Sequence, residues 1–129
     1  MEGRLRASVA AMLVASSTCL WAQQSLVGTY RGEYWEPATE AYPNRQQVVL
    51  EIKSVTDGKV TGKYTLASEY CRGTYEVEGV LSDNELALKT EGPKKDCGQE
   101  LTLRVQDDKL TGNTSAAARG RPGLTLKRQ

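Results

Sequence analysis

The stretch from Gly73 to Leu88 reads GTYEVEGVLSDNELAL. Apolar or small residues alternate with mostly polar ones on both sides of the turn signal Ser82-Asp83-Asn84-Glu85. A hairpin folded there pairs residues whose numbers sum to 167, so that Leu81 faces Leu86. The inward positions of both halves are then apolar or small, as a register with one buried face requires. The stretch therefore predicts an antiparallel hairpin with one buried and one solvated face.

The same period of two recurs along the chain after Gln24. It predicts eight short strands, whose inward residues run over 26–34, 48–52, 60–66, 73–81, 86–88, 101–105, 110–112 and 124–126. With 129 residues the chain has room for one domain. Consecutive antiparallel hairpins predict an all-β fold, either a small up-and-down barrel or a flattened sandwich.

Turns and connections complete this prediction. Asp57-Gly58 favours a three-residue loop between strands whose paired residues have numbers that sum to 116, so that Leu50 faces Leu66. Asp107-Asp108 predicts a hairpin whose paired residues have numbers that sum to 215. The segment from Trp35 to Arg45 contains two prolines and no alternation, so we expect a long loop between the first two strands. The segment from Thr114 to Pro122 predicts a second irregular connection.

Two segments carry a resemblance to known barrels. Val49 to Tyr64 resembles the second and third strands of avidin-like barrels, and Leu26 to Tyr30 resembles their opening strand, in which an aromatic residue follows a glycine by two positions. More broadly, the chain is similar to the lipocalin and avidin superfamily of small ligand-holding barrels. The resemblance implies a barrel but not biotin binding, because Glu33 to Glu36 lacks the polar set that avidins carry after the first strand.

Residues 1–22 have the features of a secretory signal peptide. Arg4 and Arg6 precede an uncharged stretch from Ala7 to Trp21, and Ala22 provides a small residue for cleavage. The apolar stretch is shorter than the roughly 20 residues that a membrane-spanning helix needs. The alternatives are a short amphipathic N-terminal helix, a membrane anchor, or a lipid on Cys19. We therefore expect a secreted or periplasmic protein whose single barrel domain spans residues 23–129.

The two cysteines outside this leader fall close together in the predicted hairpin. Cys71 lies opposite position 96, so one bulge or loop residue brings it to Cys97. An even number of cysteines in an exported chain indicates a disulfide. A reactive dithiol is the alternative, but the spacing lacks the C-x-x-C arrangement. The sequence therefore predicts a Cys71–Cys97 disulfide.

Composition argues against several classes of function. The chain has no histidine, which removes the commonest general base and nearly all zinc sites. The acidic turns lack the spacing of a calcium loop. Removal of the leader leaves fifteen basic and fifteen acidic residues, so the charge balance does not favour a nucleic-acid partner. We expect no enzyme activity, no cofactor and no metal.

Aromatic residues supply the candidate sites. Tyr30, Tyr64 and Tyr75 share the inward face, where they either line a cavity for a small apolar or amphipathic ligand or simply fill the core. Trp35 lies at the mouth of the barrel and is a further candidate for ligand contact. Three aromatic residues also flank the long first loop and form a candidate protein-contact surface, namely Tyr34, Trp35 and Tyr42. Ligand binding is the first functional hypothesis. An inhibitor or adaptor that acts through the Trp35–Tyr42 loop is the second, and a structural domain of the cell envelope is the third.

Overall fold

The computed structural model describes residues 25–39, 42–67, 71–117 and 123–129, and the predicted signal peptide with Cys19 lies outside them. They form eight strands and a short 3-10 helix at Lys95–Cys97. The strands are β1 Gly28–Thr39, β2 Tyr42–Thr56, β3 Lys59–Leu66, β4 Gly73–Ser82, β5 Glu85–Glu91, β6 Glu100–Gln106, β7 Lys109–Thr114 and β8 Leu124–Arg128. Each strand pairs antiparallel with the next, and β1 pairs with β8, so that the sheet closes into a barrel. The all-β prediction is confirmed, and the barrel is the architecture.

Two of the three hairpin registers are those that the sequence predicts. Leu81 lies opposite Leu86 across the β4–β5 turn, and Val105 lies opposite Leu110 across the β6–β7 turn. The alternation places the inward side chains of these strands in one core and leaves most of the intervening ones exposed. Closure of the sheet removes the unpaired edges that an open meander would expose.

The β2–β3 register differs from the prediction by a bulge. Asp57 and Gly58 both take positive φ, at 52° and 79°, so two residues close the turn instead of three. The extra residue, Lys53, lies between Ile52 and Ser54, where the register shifts. Leu50 consequently faces Tyr64 rather than Leu66. The bulge changes the partners and still keeps the buried face inward.

The prediction of a loop from Trp35 to Arg45 is wrong. β1 runs to Thr39 and β2 begins at Tyr42, and the two strands pair across this whole region with a register shift between Glu36 and Thr39. Among the described residues, β8 pairs with β1 only as far as Glu33, and β3 reaches β2 only as far as Gln47. A proline has no backbone N–H to donate. On the side of a two-stranded ribbon that has no neighbouring strand, this removes no hydrogen bond between strands, so prolines are tolerated there.

The second irregular connection is partly described. Thr114 is the last residue of β7, and residues 115–117 form a turn. Residues 118–122 lie outside the described part of the chain.

The disulfide is confirmed. Cys71 and Cys97 are bonded, with their Cα atoms 5.6 Å apart. Cys71 precedes β4, and Cys97 ends the 3-10 helix between β5 and β6. The bond therefore joins two connections at the same end of the barrel.

Replacement of both cysteines by alanine tests what this bond contributes. The bridge closes a loop between residues 26 positions apart. We expect the free energy of unfolding to fall by about 3 kcal/mol, since the unfolded chain gains freedom when the bond is absent. Urea denaturation without reductant measures this. Reduction of the unaltered protein should give a similar loss, and an unchanged denaturation midpoint in both experiments would contradict the expectation.

Candidate functional site

The two ends of the barrel differ in their connections. At one end, which we call the turn end, two-residue turns at 57–58, 83–84 and 107–108 join the strands. The opposite end, which we call the loop end, carries the longer connections together with the disulfide and the tip of the β1–β2 hairpin. The ends therefore differ in the chemistry that they expose.

The barrel interior contains the three tyrosines that the sequence predicts to face inward. Tyr30, Tyr64 and Tyr75 are almost completely buried, and Tyr34 joins them. The Tyr30 hydroxyl donates to the Leu26 carbonyl oxygen at 2.7 Å, near the turn end. The Tyr75 hydroxyl donates to the carbonyl oxygen of Cys71, also at 2.7 Å, near the loop end. These side chains pack together as a core, and their hydroxyls bond to the protein itself.

A buried glutamine links the other two tyrosines. The Gln99 side-chain amide donates to the Tyr34 hydroxyl at 2.9 Å, and its carbonyl oxygen accepts from Tyr64 at 3.2 Å and from Thr114 at 2.5 Å. The backbone of Gln99 pairs with Thr90. Its N–H donates to the Thr90 hydroxyl at 2.8 Å, and its backbone carbonyl oxygen accepts from the Thr90 N–H at 2.9 Å. Five side chains thus form one satisfied polar network at the loop end, which we call the Gln99 network.

The sequence predicts burial for one of the threonines of this network but not for Gln99 or Thr114. Thr90 occupies an inward position of the predicted β4–β5 register, opposite Val77. Gln99 lies in a connection without periodicity, and Thr114 lies in the segment predicted to be irregular. Nothing local to these two residues marks them as buried.

Burial changes the acidity of the enclosed phenols. Removal from water raises the pKa of Tyr64 well above its ordinary value of 10.0, and the neighbouring Tyr34 adds to the rise. Burial also raises the pKa of Tyr30, although the guanidinium of Arg128 opposes this. The interior phenols therefore act as neutral hydrogen-bonding groups.

Arg128 closes the turn end of the barrel. Its guanidinium lies 4.8 Å from the centre of the Tyr30 ring and donates to the carbonyl oxygens of Val27, at 3.0 Å, and Ser25. Its Nε pairs with a carboxylate oxygen of Asp108 at 3.3 Å. These bonds hold the segment before β1 in place, so that Leu26 is buried across this end.

Two concave regions lie outside the core. An open depression of about 1080 Å³ lies at the turn end, between Leu26, Asp83 and Arg128, and a groove of about 640 Å³ crosses the outer face of β3 to β6. Neither is lined by Tyr30, Tyr64 or Tyr75. The structure therefore brings the predicted ligand-contacting tyrosines together, but as core packing rather than as the wall of these openings.

The predicted protein-contact residues separate. Trp35 faces outward on β1 and lies opposite Arg45 of β2, whose guanidinium is 5.5 Å from the centre of the indole ring. Arg45 also donates to a Glu33 carboxylate oxygen at 3.2 Å. Tyr34 points into the barrel instead, and the side chain of Tyr42 lies outside the described part of the structure. The outward cluster consists of Glu33, Trp35 and Arg45, and we call it the hairpin cluster.

The described residues contain no group of three or more cysteine, aspartate and glutamate side chains that could hold a metal ion. Their helices include none long and apolar enough to cross a membrane.

Fold and site together define a closed eight-stranded antiparallel barrel with a disulfide and a tyrosine-rich core. Comparisons with protein-family models, curated proteins and solved structures found no match for the chain. The barrel agrees with the architecture that the lipocalin and avidin resemblance implied, and no family is assigned from it.

The raised pKa of Tyr64 predicts a stability limit in alkali. The fold favours the neutral phenol, so its contribution is intact below the pKa of the unfolded chain, about 10, and is lost as the pH rises from there through the higher folded pKa. Urea midpoints measured across this range should fall with pH, and the fall should be shallower in Tyr64→Phe. Ultraviolet absorbance that shows Tyr64 ionising near its ordinary pKa in the folded barrel would contradict this.

Gln99→Leu tests the Gln99 network. The substitution keeps roughly the same volume but leaves the hydroxyls of Tyr34, Tyr64 and Thr114 without the amide that they contact. We expect the free energy of unfolding to fall by about 3 kcal/mol, because buried polar groups lose their partners. Gln106→Leu, on the exposed face of β6, is the matched control and should change it by less than about 0.5 kcal/mol. Equal effects would show that the network does not stabilise the barrel.

Proposed function

We propose that this protein is an exported, non-catalytic binding module that contacts another protein through the outer face of the β1–β2 hairpin. The observation that carries the proposal is the continuation of β1 and β2 as a paired ribbon beyond their described pairing with β8 and β3. That ribbon carries the hairpin cluster at the loop end.

The composition of the hairpin cluster supports protein recognition. Tryptophan and arginine, together with tyrosine, are enriched at energetically dominant interface positions. Trp35 is only half-buried, and the cross-strand guanidinium of Arg45 stacks over its ring. Backbone pairing and stacking therefore hold the indole in place before any partner arrives, which lowers the entropic cost of binding.

The packing of the interior favours a function on the outside. A ligand within the barrel would have to displace side chains such as Tyr64 and Leu50, both with an exposed fraction of 0%. It would also have to replace the hydrogen bonds of Gln99. Ligand binding between Tyr30, Tyr64 and Tyr75 stays a prediction, and native mass spectrometry of protein purified from its host tests it through a bound mass that denaturation releases.

Site-specific photocrosslinking tests the hairpin proposal in cells of the organism that encodes the protein. A photoreactive residue at Gln47, which lies opposite Glu33, leaves Trp35 and Arg45 intact. We expect it to capture one defined protein, and expect the yield to fall at least tenfold in Trp35→Ala or Arg45→Ala because the anchoring contacts are lost.

The matched control places the same photoreactive residue at Ala87, on the outer face of β5. That position should give no corresponding product. The same product from both positions would overturn the proposal. So would a crosslink yield from Gln47 that is unchanged by Trp35→Ala and by Arg45→Ala. Circular dichroism of each variant shows whether the barrel is retained.

A further inference from the structure

Three cationic side chains form a row on the outer face of β7, β8 and β1, which we call the basic row. Lys109 lies directly opposite Lys127, and Lys127 lies directly opposite Arg31. All three are exposed. Neighbouring strands are about 4.8 Å apart, so the row spans about 10 Å.

Two acidic residues that lie one or two positions along the chain from the basic row have other partners. The Asp108 carboxylate pairs with Arg128 at 3.3 Å, and the Glu33 carboxylate pairs with Arg45 at 3.2 Å. In the part of the chain that the structure describes, no carboxylate lies within ion-pair distance of the three cations.

This arrangement costs stability instead of providing it. Like charges placed directly opposite each other on neighbouring strands repel and destabilise the sheet. Sequences commonly keep such a local cost where a function requires it. The neutralising charge is therefore expected to come from outside the chain.

The basic row has defined limits. The next outward residue beyond Lys109 is Gln106 of β6, and beyond Arg31 come Val49 of β2 and Thr65 of β3. An anionic polymer that wraps the barrel would need cations that continue past these neutral positions. A short patch instead fits a few anionic groups presented side by side on a surface.

On the opposite side of the barrel, basic residues such as Lys89 and Arg104 lie directly opposite acidic ones. β4 and β5 lie across the barrel from β8 and β1, and there Glu76 lies directly opposite Glu91. With 17 basic and 16 acidic residues in the chain, overall charge supplies almost no attraction. A negatively charged surface would therefore attract one face of the protein and orient it.

We propose that the basic row docks the protein on a bilayer rich in anionic phospholipids, with lipid phosphates between the three side chains. Each basic residue near such a surface adds attraction that decays within the Debye length, so docking weakens as salt increases. The contact uses side chains other than those of the hairpin cluster and does not rest on the proposed function.

The test measures binding of the host-purified protein to phosphatidylglycerol vesicles at low ionic strength by co-sedimentation. The variant Arg31→Gln/Lys109→Gln/Lys127→Gln should bind about 100-fold more weakly, from roughly fivefold per lost cation. The control Lys59→Gln/Lys89→Gln/Arg104→Gln removes the same charge from β3, β5 and β6 and should stay within about threefold of the unaltered protein. Phosphatidylcholine vesicles should bind none of the three.

Stability provides a second readout. Because the basic row is repulsive, its triple variant should unfold at a higher temperature than the unaltered protein, whereas the control loses the Arg104–Glu85 ion pair and should show no rise. Equal loss of vesicle binding in both variants would overturn the proposal, since net charge alone would explain it. So would binding to soluble heparin but not to vesicles, or no vesicle binding at all.

Discussion

The need to satisfy buried tyrosine hydroxyls organises this barrel. The chain has no phenylalanine, so its largest interior side chains carry a polar atom into a core where an unpaired polar group is costly. Each hydroxyl bonds to a segment that must then stay in place. Tyr30 holds the backbone at Leu26, Tyr75 holds the backbone at Cys71, and Tyr34 and Tyr64 share Gln99. No buried side-chain nitrogen or oxygen of the described residues lacks a partner.

Neighbouring strands approach each other closely at two glycines of this barrel. A Cβ added at Gly62 would lie 2.0 Å from the Glu51 carbonyl oxygen, and one at Gly79 would lie 2.0 Å from that of Ala87. Only glycine allows the backbones to meet so closely, and the sheet coils tightly at such points. Tyr64, the next inward residue after Gly62, is completely buried in the core.

Much of this architecture could be predicted from local sequence, because alternation and turn chemistry act over a few residues. The β4–β5 register follows from two alternating runs around Asp83-Asn84, and it also located the disulfide. The predicted β2–β3 register was wrong because a two-residue turn at Asp57-Gly58 and a bulge at Lys53 stand in place of the three-residue loop that the same Asp-Gly sequence favours. The prolines near Trp35 indicated a loop because proline interrupts strands that have a neighbour on both sides. They are tolerated here because β1 and β2 extend beyond β8 and β3 and pair only with each other, and the sequence near Trp35 does not show this. Gln99 gave no signal, because three residues distant in sequence determine its burial.

The interior of this barrel is filled and hydrogen-bonded, so the outer surface is the part that is open to a partner. The core contributes rigidity, and what varies is the chemistry that its strands present outward. β1 contributes a residue to both outer surfaces. It places Trp35 in the ribbon at the loop end and Arg31 in the basic row nearer the turn end. The two residues are four positions apart, or about 13 Å along a strand, so a partner at the hairpin and a bilayer at the basic row can be engaged together. A protein docked by the row would then present its hairpin at a fixed height and orientation above the membrane.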